Sequence, residues 1–499
     1  MKKRVLTLLL AAFLLVPSMM ACGNTASAPD ESAADTAADT APAETEALSD
    51  YDKRQLVSDD LPESDFGGQA FRVLVNAPTV EQYSAVTFEI IADELTGDAC
   101  NDAVYNRNID ICERFNAAIT MSELKEPWIV CKNAVTAGTD DYDLVGLYNY
   151  MSYQVINAKA LLNWMEIPHI NMEKPWHNAL SNNNATINNT LYTICSDLSI
   201  TSMTYTYAIF FNQRILGDQG YSAEDMYNMV RDGTWTIDKM DTMVASMYVD
   251  TNGDGKATTE DSYGFGYNQV NPTDVWAAAF DLPLCSVTED NQIEVNFMSD
   301  KTMSILEKLI SFHYENPGQV VLPTQYDEET YFLNAQLAMA PIRFHAAYSK
   351  LRDMDDPYSM LPWPKWDEKQ EAYYTNADDK FTAFGVPITA FGQIEFVGTI
   401  FEALCAESYK KVYPAYYDIA LKGKYSTDSG TAEMVDLIMA GRNFDFSFQF
   451  GESHFQRLPY LIRDLIVAKS TNLASKWDSI EKKMWTAIEK DLLPLYGVE

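Results

Sequence analysis

Three short segments decide the fold: AFRVLVNA (70–77), AAITM (117–121) and YDLVGLY (142–148). Each is rich in branched and aromatic residues and predicts a buried strand. Helical patterns at 101–115 and 128–137 separate them. Strands that alternate with helices in this way predict an α/β unit, a parallel sheet covered by helices.

This prediction also indicates where a ligand would bind. Ligands of parallel α/β sheets bind beyond the carboxyl ends of the strands. Tyr148, Asn149 and Tyr150 follow the third predicted strand. We therefore expect these three residues to contact a ligand.

A second alternating unit begins near Tyr205. It includes the strand IFFN (209–212), a helix that starts near Thr236 and a helix over 301–314. Residues 359–364 and 381–388 predict further strands, and the last hundred residues read mostly as helix. Two consecutive α/β units predict two lobes.

Composition excludes several function classes. The 499-residue chain has 72 acidic and 36 basic residues, a formal net charge of −36. Such a chain has no positive field for nucleic acid or for an anionic membrane surface. The phosphate-loop, zinc-protease and nucleophile-elbow motifs are missing from the sequence. A carboxylate pair for glycoside hydrolysis stays open, because 72 acids offer many pairs.

The N-terminus predicts export. Residues 1–21 have three bases, a short apolar core and small residues before Cys22, the layout of a signal peptide. The position of Cys22 resembles a bacterial lipobox and predicts lipidation; a plain signal peptide with a chance cysteine is the alternative. Residues 22–65 are largely acidic and polar and predict a disordered tether. We expect a lipid-anchored protein on the extracellular face of the cell membrane.

The six other cysteines are scattered without a CxxC pair or a Cys/His cluster. A zinc site is therefore not expected. Buried free thiols and disulfides both stay open. Among the five histidines, His313 lies on an apolar helical stripe and is interpreted as a core residue.

The segment DTNGDGKATTED (250–261) has the pattern of a calcium loop. Such a loop needs oxygen ligands at positions 1, 3, 5, 7, 9 and 12, with glycine at position 6. An acidic turn that binds nothing is the alternative. The predicted ligands, with Lys256 contributing its backbone carbonyl, are Asp250, Asn252, Asp254, Lys256, Thr258 and Asp261.

Several motifs in order along the chain resemble the extracellular solute-binding proteins of bacterial ABC importers, in particular the maltodextrin-binding branch. They are DFGGQAFRVLV (65–75), NDAVYNRNIDICERFNAAI (101–119), GTWTIDKM (233–240), DTNGDGKATTEDSYGF (250–265), LPWPKWDEKQEAYYT (361–375) and YPAYYDIALKGKYSTD (413–428). The resemblance implies a two-lobed, periplasmic-binding-protein-like fold, in which each lobe is a central β-sheet flanked by helices. It places the first lobe at 66–203 and 341–391 and the second at 204–340 and 392–499. A cleft between the lobes would hold the ligand.

The resemblance also implies cleft residues. The first crossing between lobes brings Tyr205 to the cleft floor, and the return crossing brings Arg343 and Phe344. Trp276 lies in a segment that lines the second lobe's face in the resembled proteins.

The aromatic content favours sugar rings, whose flat faces stack on aromatic side chains. We expect a monomer that binds a neutral oligosaccharide without turnover and delivers it to the permease subunits of an ABC importer. A surface-anchored carbohydrate-active enzyme, an importer-associated binder of peptides or other solutes, and an adhesive surface protein are the alternatives.

Overall fold

The computed structural model describes residues 50–77, 89–417 and 429–498. The predicted signal peptide, Cys22 and the first part of the tether lie outside the described residues. The chain from Ser49 onward forms one compact unit.

In the described part of the chain, eleven strands build three sheets. They are β1 (Gln69–Asn76), β2 (Ala117–Leu124), β3 (Leu144–Tyr148), β4 (Tyr207–Asn212), β5 (Tyr263–Asn268), β6 (Cys285–Val287), β7 (Ile293–Val295), β8 (Gln319–Leu322), β9 (Leu337–Arg343), β10 (Tyr358–Leu361) and β11 (Thr382–Gly385).

The first sheet has the strand order β11-β3-β1-β2. Strand β1 pairs in parallel with both β2 and β3, while β11 runs antiparallel to β3. This is the parallel arrangement predicted from the three opening segments. The elements around this sheet are called the first lobe.

The second sheet has the order β10-β4-β9-β5-β8. Strand β5 runs parallel to β8 and β9, whereas β4 is antiparallel to β9 and β10. The carboxyl ends of β5, β8 and β9 therefore lie beside the amino end of β4, at the same end of the sheet. The elements around this sheet are called the second lobe, and strands β6 and β7 form a separate hairpin.

Helices flank the sheets. They are α1 (Asp50–Gln55), α2 (Ala99–Phe115), α3 (Pro127–Ala137), α4 (Tyr153–Asn157), α5 (Ala179–Ala185), α6 (Ile200–Thr204), α7 (Gln213–Asp218), α8 (Ala223–Arg231), α9 (Ile237–Val244), α10 (Asn271–Ala279), α11 (Asp300–Tyr314), α12 (Asp327–Leu333), α13 (Phe344–Tyr348), α14 (Ile394–Glu407), α15 (Tyr413–Tyr416), α16 (Ser429–Ala440), α17 (Leu461–Val467) and α18 (Leu473–Ala487). The mixed α/β class with helix-flanked sheets is confirmed.

Two segments carry the chain between the sheets. The first crossing segment, residues 195–206, precedes β4. The second crossing segment, residues 362–381, joins β10 of the second sheet to β11 of the first. The two segments pair with each other where Thr206 bridges Ala377.

Sheet membership differs from the predicted lobe boundaries in two places. Strand β10 belongs to the second sheet, so the return to the first sheet occurs at residue 382 and not near 341. Helix α14 packs with Phe71 and Val75 of β1, so it belongs to the first lobe and not to the second. Residues of α14 are apolar because they fill this core.

Helix α14 lies in the run Ile388–Tyr416, which is long and apolar enough to cross a membrane by length and composition. In its most apolar window 61% of the residues are buried inside the protein. That degree of burial is typical of a core helix in a folded body.

The predicted disorder of residues 22–65 is wrong for residues 50–65. Helix α1 packs against the turn before α15: the Gln55 side chain donates to the Lys410 carbonyl at 2.8 Å, and the Arg54 guanidinium lies 4.4 Å from the ring of Tyr409. Farther along, Asp59 accepts a hydrogen bond from Arg114 at 3.2 Å. These contacts order a polar stretch that has too few apolar residues to fold alone.

Packing of α14 requires glycine at position 398. A Cβ atom added there would lie 2.0 Å from the Pro168 carbonyl oxygen. Gly398→Ala should lower the free energy of unfolding by about 2 kcal/mol or more, because backbone must move to relieve the overlap. Urea unfolding measures the change.

Gly392→Ala is the matched control, since nothing lies within 4 Å of a Cβ added at Gly392. Equal unfolding midpoints for the two variants would contradict the packing of α14.

Candidate ligand-binding site

A buried arginine lies where the lobes join. Arg343 ends β9 and is 1% exposed, and its guanidinium carbon lies 4.0 Å from the ring centre of Tyr326 and 5.0 Å from that of Tyr205. Tyr205 lies on the first crossing segment. The backbone N–H of Phe344 donates to the Thr206 carbonyl at 3.0 Å. The structure therefore brings together Tyr205, Arg343 and Phe344, which do not line the cavity described below; their contact with a ligand stays a prediction.

Asp378 connects this arginine to the second crossing segment. One carboxylate oxygen of Asp378 lies 3.7 Å from Nη1 of Arg343 and accepts from the Asn271 amide at 2.5 Å. Its backbone N–H donates to the Tyr205 carbonyl at 3.0 Å. Burial opposes ionisation of Asp378, but Lys380 and Arg343 outweigh it and lower its pKa. Asp378 thus stays charged and ties both crossing segments to the second lobe.

Arg343 has a second acidic partner. Its Nη2 lies 3.4 Å from Glu329, and that carboxylate also pairs with Lys350 at 3.0 Å. The positive charge of Arg343 is therefore balanced from two sides.

The end of β3 reaches the same place. The backbone N–H of Asn149 donates to the Phe381 carbonyl at 3.0 Å, and that of Tyr150 to the Asp379 carbonyl at 3.1 Å. The rings of Tyr148 and Tyr150 lie 6.2 Å apart and nearly parallel. Tyr148, Asn149 and Tyr150 therefore adjoin the second crossing segment.

The structure places Trp276 apart from this cluster. It is 1% exposed, and its ring packs edge-on against Trp363 with the centres 4.6 Å apart. Phe280 and Phe312 lie on other sides of the indole. Trp276 packs as a core residue of the second lobe in this structure.

A cavity of about 220 Å³ opens between elements of the two lobes. Helix α5 contributes from the first lobe, the end of α10 and the strand β6 from the second, and Asn376 from the second crossing segment. The residues that line it are Leu180, Asn184, Ala277, Ala278, Asp281, Leu282, Pro283, Leu284, Cys285, Ser286, Asn376, Asn443, Asp445 and Phe448. A smaller pocket of about 30 Å³ lies against Asn149, Phe381 and Ala383.

Three asparagines supply amide groups to the larger cavity. The Asn184 amide donates to Oδ1 of Asn443 at 3.1 Å, and Asn376 is buried beside them. These three asparagines were not predicted as ligand-binding residues. The run SNNNA (181–185) is the one sequence signal that could have indicated them. No Lys or Arg is among the described residues that line the cavity.

Asp445 shapes the wall of the cavity. Its carboxylate accepts from the backbone N–H groups of Leu284 and Ser447, each at 2.8 Å. Because these bonds occupy the carboxylate, we interpret Asp445 as a residue that holds the wall in place.

The predicted calcium loop is a compact turn. Asp250 accepts backbone N–H groups of Gly253 at 2.7 Å and Gly255 at 2.9 Å, and Gly255 has a positive φ of 74°. Asp261 is buried and accepts from the Thr258 N–H at 2.9 Å, which lowers its pKa. Over the part of the chain that the structure describes, no group of three or more His, Cys, Asp or Glu side chains is placed to hold a metal ion. Calcium binding stays a prediction.

Comparison with known proteins identifies the fold. No protein-family model matches the chain, and no curated protein matches it. A cyclo/maltodextrin-binding protein solved with maltotetraose superimposes with a TM-score of 0.55 at 13% identity, over 85% of this chain and 98% of that one. The GacH receptor of Streptomyces glaucescens, solved unliganded and with acarbose, gives 0.52 at 11% identity, over 83% and 98%.

A family 1 extracellular solute-binding protein from Bifidobacterium longum subsp. infantis gives a TM-score of 0.51 at 12% identity, over 83% of this chain and all of that one. These neighbours are binding proteins and not enzymes. The two helix-flanked sheets match what the sequence resemblance implied, whereas the return crossing lies later in the chain. The chain has the two-lobed fold of the extracellular solute-binding proteins of ABC importers.

Proposed function

We propose that this protein captures an extracellular sugar or short oligosaccharide and delivers it to an ABC importer. The observation that carries the proposal is the cavity between the lobes, lined by asparagine amides, apolar side chains and the carboxyl groups of Asp281 and Asp445. An amide both donates and accepts hydrogen bonds, as a sugar hydroxyl does. Alanine, leucine and proline surfaces suit the C–H faces of a sugar ring.

Charge favours a neutral ligand. The chain is strongly acidic, and no cation among the described residues lines the cavity. An anionic solute would enter a negative field without a partner for its charge. A volume of 220 Å³ equals about seven water molecules at roughly 30 Å³ each, which is room for about one sugar ring.

Binding without turnover is part of the proposal. A retaining or inverting glycosidase needs two carboxyl groups free to act on the glycosidic bond. Of the two carboxyl groups that line the cavity, that of Asp445 is held by the backbone N–H groups of Leu284 and Ser447. This bonding leaves only Asp281 free to act and favours a binder over the alternative of a surface enzyme.

Lipidation of Cys22 would keep such a binder at the cell surface beside its importer. The part of the predicted tether that precedes residue 50 would hold it there. By random-coil scaling its root-mean-square span is roughly 30 Å. In this arrangement the protein acts as a monomer, with the permease subunits as partners.

A panel of neutral sugars that includes maltotetraose should contain a ligand detectable by calorimetry and recovered chemically unchanged. Asn184→Ala should weaken its affinity about tenfold, because about 1.4 kcal/mol of hydrogen bonding is lost. Asn183→Ala on the same helix is the control, since Asn183 is exposed. Tight binding of a peptide or anion with no response to any sugar would overturn the ligand class, and product formation would overturn binding without turnover.

Trp276→Ala should lower the stability of the folded protein and leave sugar affinity largely unchanged. Removal of a buried tryptophan leaves a cavity and costs about 3–5 kcal/mol. We expect a lower thermal midpoint and sugar affinity within a few-fold of wild type at a temperature where both are folded. A loss of affinity of thirtyfold with an unchanged midpoint would instead place the indole against the ligand, as the sequence resemblance implied.

Calcium in the 250–261 loop is the second part of the proposal. A carboxylate oxygen that accepts one N–H keeps a lone pair for an ion, so the turn's hydrogen bonds are compatible with calcium. Chelation should lower the thermal midpoint, because an ion that binds the folded state stabilises it. Asp254→Ala should abolish that response, whereas Asp290→Ala, an exposed acid outside the loop, should keep it. If the wild-type thermal midpoint changes neither with chelator nor with millimolar calcium, the loop is an acidic turn that binds no calcium.

A further inference from the structure

Glu89 is a fully buried carboxyl group that touches both crossing segments. One of its oxygens accepts from the backbone N–H of Thr201 at 2.6 Å and from the Thr201 hydroxyl at 2.5 Å. Its other oxygen accepts from the Thr382 hydroxyl at 2.6 Å. Thr201 belongs to the first crossing segment, and Thr382 is the first residue after the second.

The two threonines are also joined directly. The Thr382 backbone N–H donates to the Thr201 hydroxyl at 2.8 Å. The residue after Glu89 is held by α2, since Arg107 and Asn108 both donate to the Ile90 carbonyl, at 2.8 and 2.7 Å. Glu89 therefore fastens the first crossing segment and the first residue of β11 to the body of the first lobe.

These connections lead into the candidate site. Thr201 lies in α6, and Tyr205 directly follows that helix. Thr382 stands between Phe381 and Ala383, which line the smaller pocket, and follows the segment that carries Asn376, which lines the larger cavity. A shift of either threonine would move residues of the site.

We propose that Glu89 is a positioning residue for the ligand site and that its protonation state controls ligand affinity by setting how tightly the crossing segments are held. The inference rests on the proposed function. Three donors bond to the carboxyl oxygens and favour the charged form, but full burial in the packed interior penalises that charge more strongly. Ionisation therefore shifts the population away from this arrangement and weakens binding.

The pH window follows from the environment of Glu89. Burial raises its pKa to about 7, although the threonine hydrogen bonds oppose the shift. The other titratable groups that face it keep one state between pH 6 and 8. Burial lowers the pKa of Arg107 to about 10, raises that of Cys195 to about 12, and raises those of Tyr205 and Tyr416 well above their usual values.

A group whose pKa is higher in the folded than in the unfolded chain contributes folding stability that is lost as pH rises through the folded pKa. The stability contributed by Glu89 is therefore lost between about pH 4.5 and 7. Other acids titrate in this range, because burial raises the pKa of Asp197 to about 7, Glu328 to about 8 and Asp379 to about 6. These three acids are also present in a Glu89 variant, so their effect on affinity cancels in the ratio of the wild-type Kd to the variant Kd.

The test compares maltotetraose affinity of wild type, Glu89→Gln and Asp143→Asn from pH 6 to 8. Asp143 is the matched control, a buried first-lobe acid that pairs with Arg72 at 2.7 Å and accepts from Gln393, both of which lie outside the two crossing segments. We expect the ratio of the wild-type Kd to the Glu89→Gln Kd to rise about fivefold or more across this range, within the usual span of coupling between sites. The ratio for Asp143→Asn should stay flat. A flat ratio for Glu89→Gln overturns the proposal.

Two further measurements keep the test decisive. If Glu89→Gln fails to fold, Thr382→Val takes its place, because it removes one hydrogen-bond donor to the Glu89 carboxylate. Loss of this donor should move the midpoint of the affinity-against-pH profile to higher pH. An unmoved midpoint overturns the proposal. If maltotetraose does not bind, the proposed function fails for that ligand, and ligand-free thermal unfolding still decides the role of Glu89. A pH slope of the thermal midpoint from 5 to 8 that Glu89→Gln shares with wild type overturns it.

Discussion

The buried positive charge of Arg343 constrains the junction of the two lobes. A guanidinium taken out of water is costly unless acids and hydrogen bonds surround it. Here Asp378 approaches from the second crossing segment and Glu329 from helix α12, and two tyrosine rings cover the planar faces. Because Asp378 lies on the chain's return path, this electrostatic requirement fixes where the second crossing segment must run. The lobes are therefore positioned by charge as well as by backbone pairing.

This arrangement keeps the cations of the junction apart from the ligand cavity. The ionised groups at the junction pair with one another, whereas the described residues that line the cavity supply amides, apolar groups and the carboxyl groups of Asp281 and Asp445. A neutral solute needs hydrogen bonds and apolar surface, and it gains nothing from an unpaired cation. An acidic protein can therefore bind such a solute without a basic cluster, which a phosphate or carboxylate ligand would require.

Much of the fold was predictable from local pattern. Strands β1 and β3 are continuous apolar runs, and α2 and α3 have clear helical spacing, so the first sheet followed from the sequence alone. The side of the junction to which β10 belongs was not predictable, because its pairing with β4 joins residues more than 140 positions apart. The order of residues 50–65 also depends on distant partners such as Lys410 and Arg114.

Site residues were predictable only where chain order implies position. Residues at strand ends and crossings, such as Tyr148, Tyr205 and Arg343, meet because the topology requires it. Trp276 shows the opposite case: its aromatic character suits a sugar or a core equally, and only the neighbouring Trp363 and Phe312 decide between them. Asn184 is a polar residue on a short helix, and nothing in its local sequence reveals that α10 and β6 close a cavity over it. A side chain's chemistry can thus be read from sequence, whereas the surface it faces is set by elements folded against it from elsewhere in the chain.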